Sequence, residues 1–247
     1  MQTIKKHLKE LYYFLFQSFI SKEGAEVDFW KDFLAQVQLW YRGELPLLYG
    51  EPAPSVERKI VVHSVKDSAI LTWFEVHQKT KYREDLLLEK DAFAGMKILD
   101  VGSGPYPSAA VFEDAELYCL DPLLADYIKI GFPLHYYNNV KFISGTSENI
   151  PTEDNFFDAI ISVNAIDHVN DLAATGLELK RVLKSGGKMR MHIHYHKKVV
   201  TEPIEMNDEV VKKVFSWCEG FKKISESKDK RGFALTDDSE MYTVWSN

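Results

Sequence analysis

The chain has 247 residues, 45% of them hydrophobic, with 37 acidic against 30 basic residues and a net charge of −7. That is enough apolar material for a packed core without disulfide staples, and Cys119 and Cys218 show neither zinc-ligand nor redox spacing, which fits a reducing, cytoplasmic setting and no metal. The acidic balance weighs against a nucleic-acid partner, and no run approaches the roughly 20 apolar residues that span a bilayer, so no membrane partner is expected either.

The opening residues, MQTIKKHLKELYYFLFQSF, place Leu8, Leu11, Tyr12, Leu15 and Phe19 at helical spacing with no small-residue cleavage site after them, and predict a helix. Phe29, Phe33, Leu34, Val37, Trp40 and Tyr41 predict a second one. Prolines break the pattern over residues 43–54, a predicted loop. A further helix is predicted over 67–88, capped by Asp67 or Ser68. Residues 1–92 thus read as an α-helical extension, expected to lie as a lid over whatever the rest binds. Its tyrosines, Tyr12 and Tyr13 among them, offer ring faces to a substrate or a cation.

From residue 93 to 247 the pattern changes to β, α, β, α. Apolar runs at 97–101, 116–120, 140–143, 159–163 and 188–195 predict strands, with helices over 107–113, 123–130, 171–184 and 207–217. Two late strands, 221–227 and 241–245, are set to pair antiparallel. The order predicts an α/β fold: a doubly wound, seven-stranded, mostly parallel sheet with helices on both faces.

Two strand ends carry the chemistry. In KILDVGSGPYPS an apolar strand ends at Asp100 and runs into Gly102, Ser103 and Gly104, where side chains would keep a ligand off the backbone. In ELYCLDPL the next strand ends at Asp121, where a carboxylate beside the crevice can accept both hydroxyls of a ribose. The competing reading of Asp121 is a helix cap ahead of Pro122.

From about Gly95 to Trp245 the chain resembles the class I S-adenosylmethionine-dependent methyltransferases of the small-molecule type. The resemblance rests on LDVGSGP, LYCLDP, FISGTSENIPTEDNFFDAIISVNAIDHVNDL and LKRVLKSGGKMRMHI. It implies a Rossmann-like methyltransferase fold, S-adenosylmethionine as cofactor, S-adenosylhomocysteine as product, and methyl transfer to a hydroxyl or amine of a small molecule. It assigns Asp100, Gly102, Ser103 and Gly104 to the methionine end, Asp121 to the ribose, and Pro122 and Leu123 to the adenine face. Thr146, Ser147 and Glu148 fall to the adenine edge, and Asn164 and Ala165 to the approach to the sulfonium. Tyr106 stands where the family has a third glycine, and Thr146 where it has an acid for the adenine amine.

Along MRMHIHYH, strand alternation puts Arg190, His192 and His194 on one face with His196 continuing the row, although central strands are ordinarily apolar on both faces. The row either borders a cavity or is satisfied internally. The strand's carboxyl end faces the crevice, which makes His194 and His196 the candidate catalytic bases and His192 a candidate substrate contact. A His-x-His-x-His row also suits a metal, but no carboxylate stands in the row and no metal is expected. Two other functions compete. A nicotinamide-dependent dehydrogenase shares the glycine loop but wants GxGxxG where this chain has GSGPYP, and a cofactor-binding module without turnover would keep the same fold.

Overall fold

A computed structural model describes residues 21–198, 202–228 and 240–247. The first predicted helix, with Tyr12 and Tyr13, lies outside the described residues. Helix α1 (Lys22–Arg42) starts where the Ser21 hydroxyl accepts from the Gly24 amide and stops at Gly43, whose left-handed backbone (φ 81°) lets its amide close on Leu39 and Trp40. Its stripe Phe33, Leu34, Val37, Trp40 and Tyr41 is buried. The predicted loop after it contains a short hairpin, β1 (Leu47–Leu48) with β2 (Glu51–Pro52).

Helix α2 (Val65–Trp73) begins earlier than expected, because Ser64 rather than Asp67 or Ser68 supplies the cap. It runs through one wide turn, Phe74–Gln78, into α3 (Lys79–Leu86). Such π-type turns re-aim the residues that follow, and here Gln78, Lys81 and Tyr82 end on a cavity wall.

The large sheet comprises β3 (Lys97–Val101), β4 (Glu116–Asp121), β5 (Val140–Ser144), β6 (Phe157–Val163), β7 (Leu183–Tyr195), β8 (Lys222–Ser227) and β9 (Met241–Ser246), in the order β5-β4-β3-β6-β7-β9-β8. All neighbours are parallel except β9, which runs antiparallel to β7 and β8. Helices α4 (Leu124–Ile130), α5 (Leu172–Val182) and α6 (Asp208–Val214) complete the layers. The chain winds outward from β3 to β5, then returns to place β6 on the other side of β3. The gap between β3 and β6 is therefore the switch point at which such sheets bind ligands.

Neighbouring residues of β3 serve opposite faces, as in a strand covered on both sides. Ile98 packs with Trp40, Trp73, Phe74 and Tyr106, so the helical extension and one sheet face share a single core. Leu99 packs with Leu179, Met191, Phe215 and Trp245 on the other.

Two expectations are corrected. Residues 107–113 form only a 3₁₀ turn, Ser108–Val111, ahead of which Pro107 lies outside the helical region at φ −75° and ψ 64°. Helix α5 stops at Val182, and β7 begins at Leu183, with residues 184–187 bulging between the pairs Phe157–Leu183 and Ala159–Lys188. Among the described residues no helix is long and apolar enough to cross a membrane.

Candidate active site

A cavity of about 880 Å³ opens at the carboxyl edge of the sheet over the switch point. Its floor is the turn after β3. Gly102 (φ 70°) and Gly104 (φ 62°) both take left-handed backbone there. A Cβ on Gly102 would stand 2.3 Å from the Cβ of Ala165, so only glycine lets the loop lie against the end of β6. Asp121 pins this loop to β4. One of its oxygens accepts from the Gly104 amide at 2.9 Å, the other from the Leu123 amide at 2.8 Å. Burial pushes its carboxyl up to about 6, against the pull of those two amides.

Gly102, Ser103, Gly104, Asp121, Pro122, Leu123, Thr146, Ser147, Glu148, Asn164 and Ala165 all line this cavity. Asp100 does not. It is fully buried beneath the loop, with the Tyr82 hydroxyl donating to one oxygen and no hydrogen-bond partner at the other. Burial raises its carboxyl to about 7. Tyr82, from the extension, stands on the wall in its place. The expected place of Asp100 at the methionine end thus gives way to this internal bond with Tyr82.

The rest of the wall follows from loop chemistry. Glu148 accepts from the Asn170 and Asp171 amides at 2.7 and 3.1 Å, and these hold its carboxyl below the usual range despite burial. The carboxylate braces the turn after β6. The Lys22 ammonium, at the start of α1, donates to the His168 carbonyl at 2.6 Å and to Asn170 Oδ1 at 2.8 Å, tying the extension to the same turn. Trp30 of α1 lines the cavity beside Gly104, with Tyr106 behind it.

The histidine row divides. His192 is buried off the wall, bonded through Nδ1 to Asn164 Oδ1 at 2.8 Å and stacked on Tyr242; burial pushes it down to about 4, and it stays neutral. The expected substrate contact of His192 gives way to this internal bond, which holds Asn164 in its left-handed conformation (φ 49°). His194 and His196 do line the cavity. His194 is lowered by burial and by His196 beside it, and its Nε2 lies 3.6 Å from Glu240. His196 Nε2 lies 2.9 Å from Asp167 and 3.4 Å from Glu202. Burial would lower its pKa, but the Asp167 bond, the Lys197 carbonyl and the Glu202 charge push it up to about 9.

A family profile described as "Methyltransferase domain" matches residues 99–191. That segment is similar to the methyltransferase domains. Among curated proteins, a demethylmenaquinone methyltransferase of Geobacillus sp. (strain WCH70) is 30% identical over 142 residues, 54% of this chain and 59% of that one. A ubiquinone/menaquinone biosynthesis C-methyltransferase of Shewanella sp. (strain W3-18-1) is 29% identical over 156 residues, 60% of this chain and 57% of that one. The chain thus spans less than three-fifths of the length of these relatives. A solved Thermotoga maritima structure, described as a SAM-dependent methyltransferase and possible histamine N-methyltransferase, superposes with a TM-score of 0.52 at 18% identity, covering 72% of this chain and 93% of that one. The YcgJ protein of Bacillus subtilis does so at 0.51 and 16%, over 69% and 97%. The sheet order above is the Rossmann-like methyltransferase fold these share.

The family's cofactor is S-adenosylmethionine, with S-adenosylhomocysteine as product. The residues present fit it. Each Asp121 oxygen holds one backbone amide and retains acceptor capacity toward the cavity, which suits a vicinal diol, and the glycine turn leaves its backbone bare beside it. Tyr82, one of the extension's tyrosines offered to the crevice, does reach the wall, whereas Asp167 and the wall residues Glu202 and Glu26 were missed from the sequence. Asp167 follows the end of β6 in the turn with His168, whereas Glu202 and Glu26 reach the site from a distant loop and helix that no local pattern connects.

Proposed function

We propose that this protein transfers the methyl group of S-adenosylmethionine to a hydroxyl or amine of a small acceptor, hydroxyl preferred. The observation that carries the proposal is that one cavity runs unbroken from the glycine turn and Asp121 to His194 and His196. Its volume suits a cofactor with a small partner rather than a polymer. When bound, the cofactor supplies a sulfonium-activated methyl group, displaced in line by the acceptor.

The chain's own residues then do three things. Asp121 and the Gly102–Gly104 backbone fix the nucleoside and its tail. Alignment of that kind supplies about 7–11 kcal/mol of a two-reactant barrier. Trp30, Tyr82 and Tyr106 wall off the extension side and exclude water. His194, whose pKa burial lowers, meets the acceptor hydroxyl and helps it lose the proton, a role worth on the order of 10² to 10⁴ in rate, with His196 beside it on the wall to hold the acceptor. The buried free thiols of Cys119 and Cys218 support a cytoplasmic setting as part of the same reading.

The curated relatives named above as quinone C-methyltransferases favour a second acceptor class, a phenol methylated at the adjacent ring carbon, since the same deprotonation activates both atoms. The test is calorimetric titration with S-adenosylhomocysteine, followed by detection of that product from S-adenosylmethionine with phenols, amines and sugars as acceptors. NMR of the product separates O-, N- and C-methylation. Absence of cofactor binding by folded protein overturns the proposal. Binding without product from any acceptor makes the chain a binding module.

A further inference from the structure

The acceptor end of the cavity carries more ligating chemistry than the expected bases require. His194 and His196 on β7 meet Glu202 from the loop beyond, and the ligand atoms of these three lie within 4.8 Å of one another. Asp167, from the turn after β6, places Oδ2 2.9 Å from His196 Nε2. His168 brings Nε2 to 3.6 Å from Glu202. A divalent ion held at about 2.0–2.2 Å sets neighbouring ligand atoms about 2.8–3.6 Å apart. The contacts of 2.9, 3.4 and 3.6 Å fall on that scale.

Two independent features point the same way. The His196 Nδ1 donates to the Lys197 carbonyl at 2.7 Å, which orients the ring and leaves Nε2 as the inward nitrogen, the arrangement that metal-bound histidines use. Asp167 is 1% exposed, yet its Oδ1 has no hydrogen-bond partner. Buried polar atoms are seldom left so. A purely structural ion-pair network would have closed on this oxygen.

We infer that His194, His196 and Glu202, with Asp167 as the neighbouring carboxylate, form a site for one divalent transition-metal ion in the acceptor half of the cavity. Two imidazoles and one or two carboxylates are a zinc, manganese, iron or cobalt set rather than a calcium or magnesium one, because hard cations take oxygen alone. The set leaves ligand positions facing the cavity. Resting on the methyltransferase reading, those positions suit an acceptor hydroxyl or phenol oxygen, which the ion would bind and acidify, so that the two histidines act on the acceptor through the ion. The ligands also select an oxygen-bearing acceptor over a simple amine.

The test uses full-length protein stripped with chelator and titrated with Co²⁺, read by its visible ligand-field absorption, and with Zn²⁺ by competition. One Co²⁺ per chain is expected, with affinity at least tenfold weaker in His194→Gln and in Glu202→Gln. His196→Ala should abolish binding, but this side chain is buried and its loss threatens folding, so the two cavity-facing variants decide. No stoichiometric Co²⁺ binding, or binding that both variants retain, overturns the site. S-adenosylhomocysteine binding is measured on the same samples. If it persists while Co²⁺ does not bind, only the metal site fails; if it is absent in folded protein, the methyltransferase reading fails whatever the metal does.

Discussion

Removing one hydroxyl at Tyr82 tests how the glycine turn is supported. Asp100 is fully buried, and the Tyr82 hydroxyl is the one side chain that donates to it. In Tyr82→Phe the one partnered carboxylate oxygen loses its donor, which leaves both without a partner, with no volume change large enough to open a cavity. A hydrogen bond to a charged group contributes about 1.5–3 kcal/mol, and one between neutral groups about 0.5–1.5 kcal/mol. Which figure applies depends on the protonation of Asp100. Its folded pKa is raised from 3.8 to about 7, chiefly by burial, with Tyr82 pulling it down. The folded state therefore keeps a proton that the unfolded chain releases, and Asp100 opposes folding increasingly as pH rises from about 4 to 7. Without the hydroxyl the folded pKa climbs further, so the penalty extends above pH 7. The variant should lose about 1 kcal/mol at pH 5.5 and about 2 kcal/mol or more at pH 8.5. At roughly 2–4 °C per kcal/mol for a chain of this size, the Tm deficit grows from about 3 °C to about 6 °C. Thermal melts of both proteins at the two pH values give the answer. A deficit that is independent of pH, or larger at pH 5.5, would refute the idea that Tyr82 stabilises an ionised Asp100.

Gly102→Ala must place a methyl group 2.3 Å from the Ala165 Cβ in left-handed backbone, and should cost about 2–4 kcal/mol together with measurable cofactor binding; a folded variant that binds S-adenosylhomocysteine normally would contradict the close approach. Because Asp121 is held near 6 by burial, it takes up a proton as pH falls through that value, and S-adenosylhomocysteine affinity should drop up to about tenfold between pH 7 and 5. Calorimetry on Asp121→Asn, weaker at every pH and without that dependence, is the control.

What could be read from the sequence was whatever is local in the chain. Asp100 and Asp121 close apolar strands, glycine follows the first of them, and these patterns need no knowledge of the partner strands. The late strands 221–227 and 241–245 were legible in the same way, though not that β9 would insert between β7 and β8. The histidine row showed its alternation but not its sorting. His192 turns into the protein to hold Asn164, and only its two followers reach the cavity. What makes those two chemically distinctive, the carboxylates of Asp167 and Glu202, comes from separate loops, so a search for acids within the row missed them. The failed helix at 107–113 shows the converse: the segment yields only the 3₁₀ turn Ser108–Val111, with Pro107 ahead of it outside the helical region.

Tyr106, which replaces the family's third glycine, looks in the sequence like a defect in the cofactor turn. In the fold it is an anchor. Its ring is 2% exposed, stacked on Phe74 at 6.3 Å and set edge-on to Trp30, Phe33 and Phe132 at 6.1, 6.3 and 5.2 Å. The helical extension thus grips the turn through this side chain, and the wall of the cavity depends on the grip. Restoring the family residue, Tyr106→Gly, should therefore weaken the protein by about 3–5 kcal/mol, the range for emptying a buried aromatic site, and should weaken S-adenosylhomocysteine binding with it. The phenol hydroxyl, by contrast, is buried without a hydrogen-bond partner. Tyr106→Phe removes only that desolvated group, so it should be neutral or stabilising by about 1 kcal/mol and leave binding intact. If the glycine variant binds more tightly than the parent, the residue is a constraint on the turn and the extension is dispensable to it. If the phenylalanine variant is destabilised, the hydroxyl has a partner and the anchor is not purely apolar.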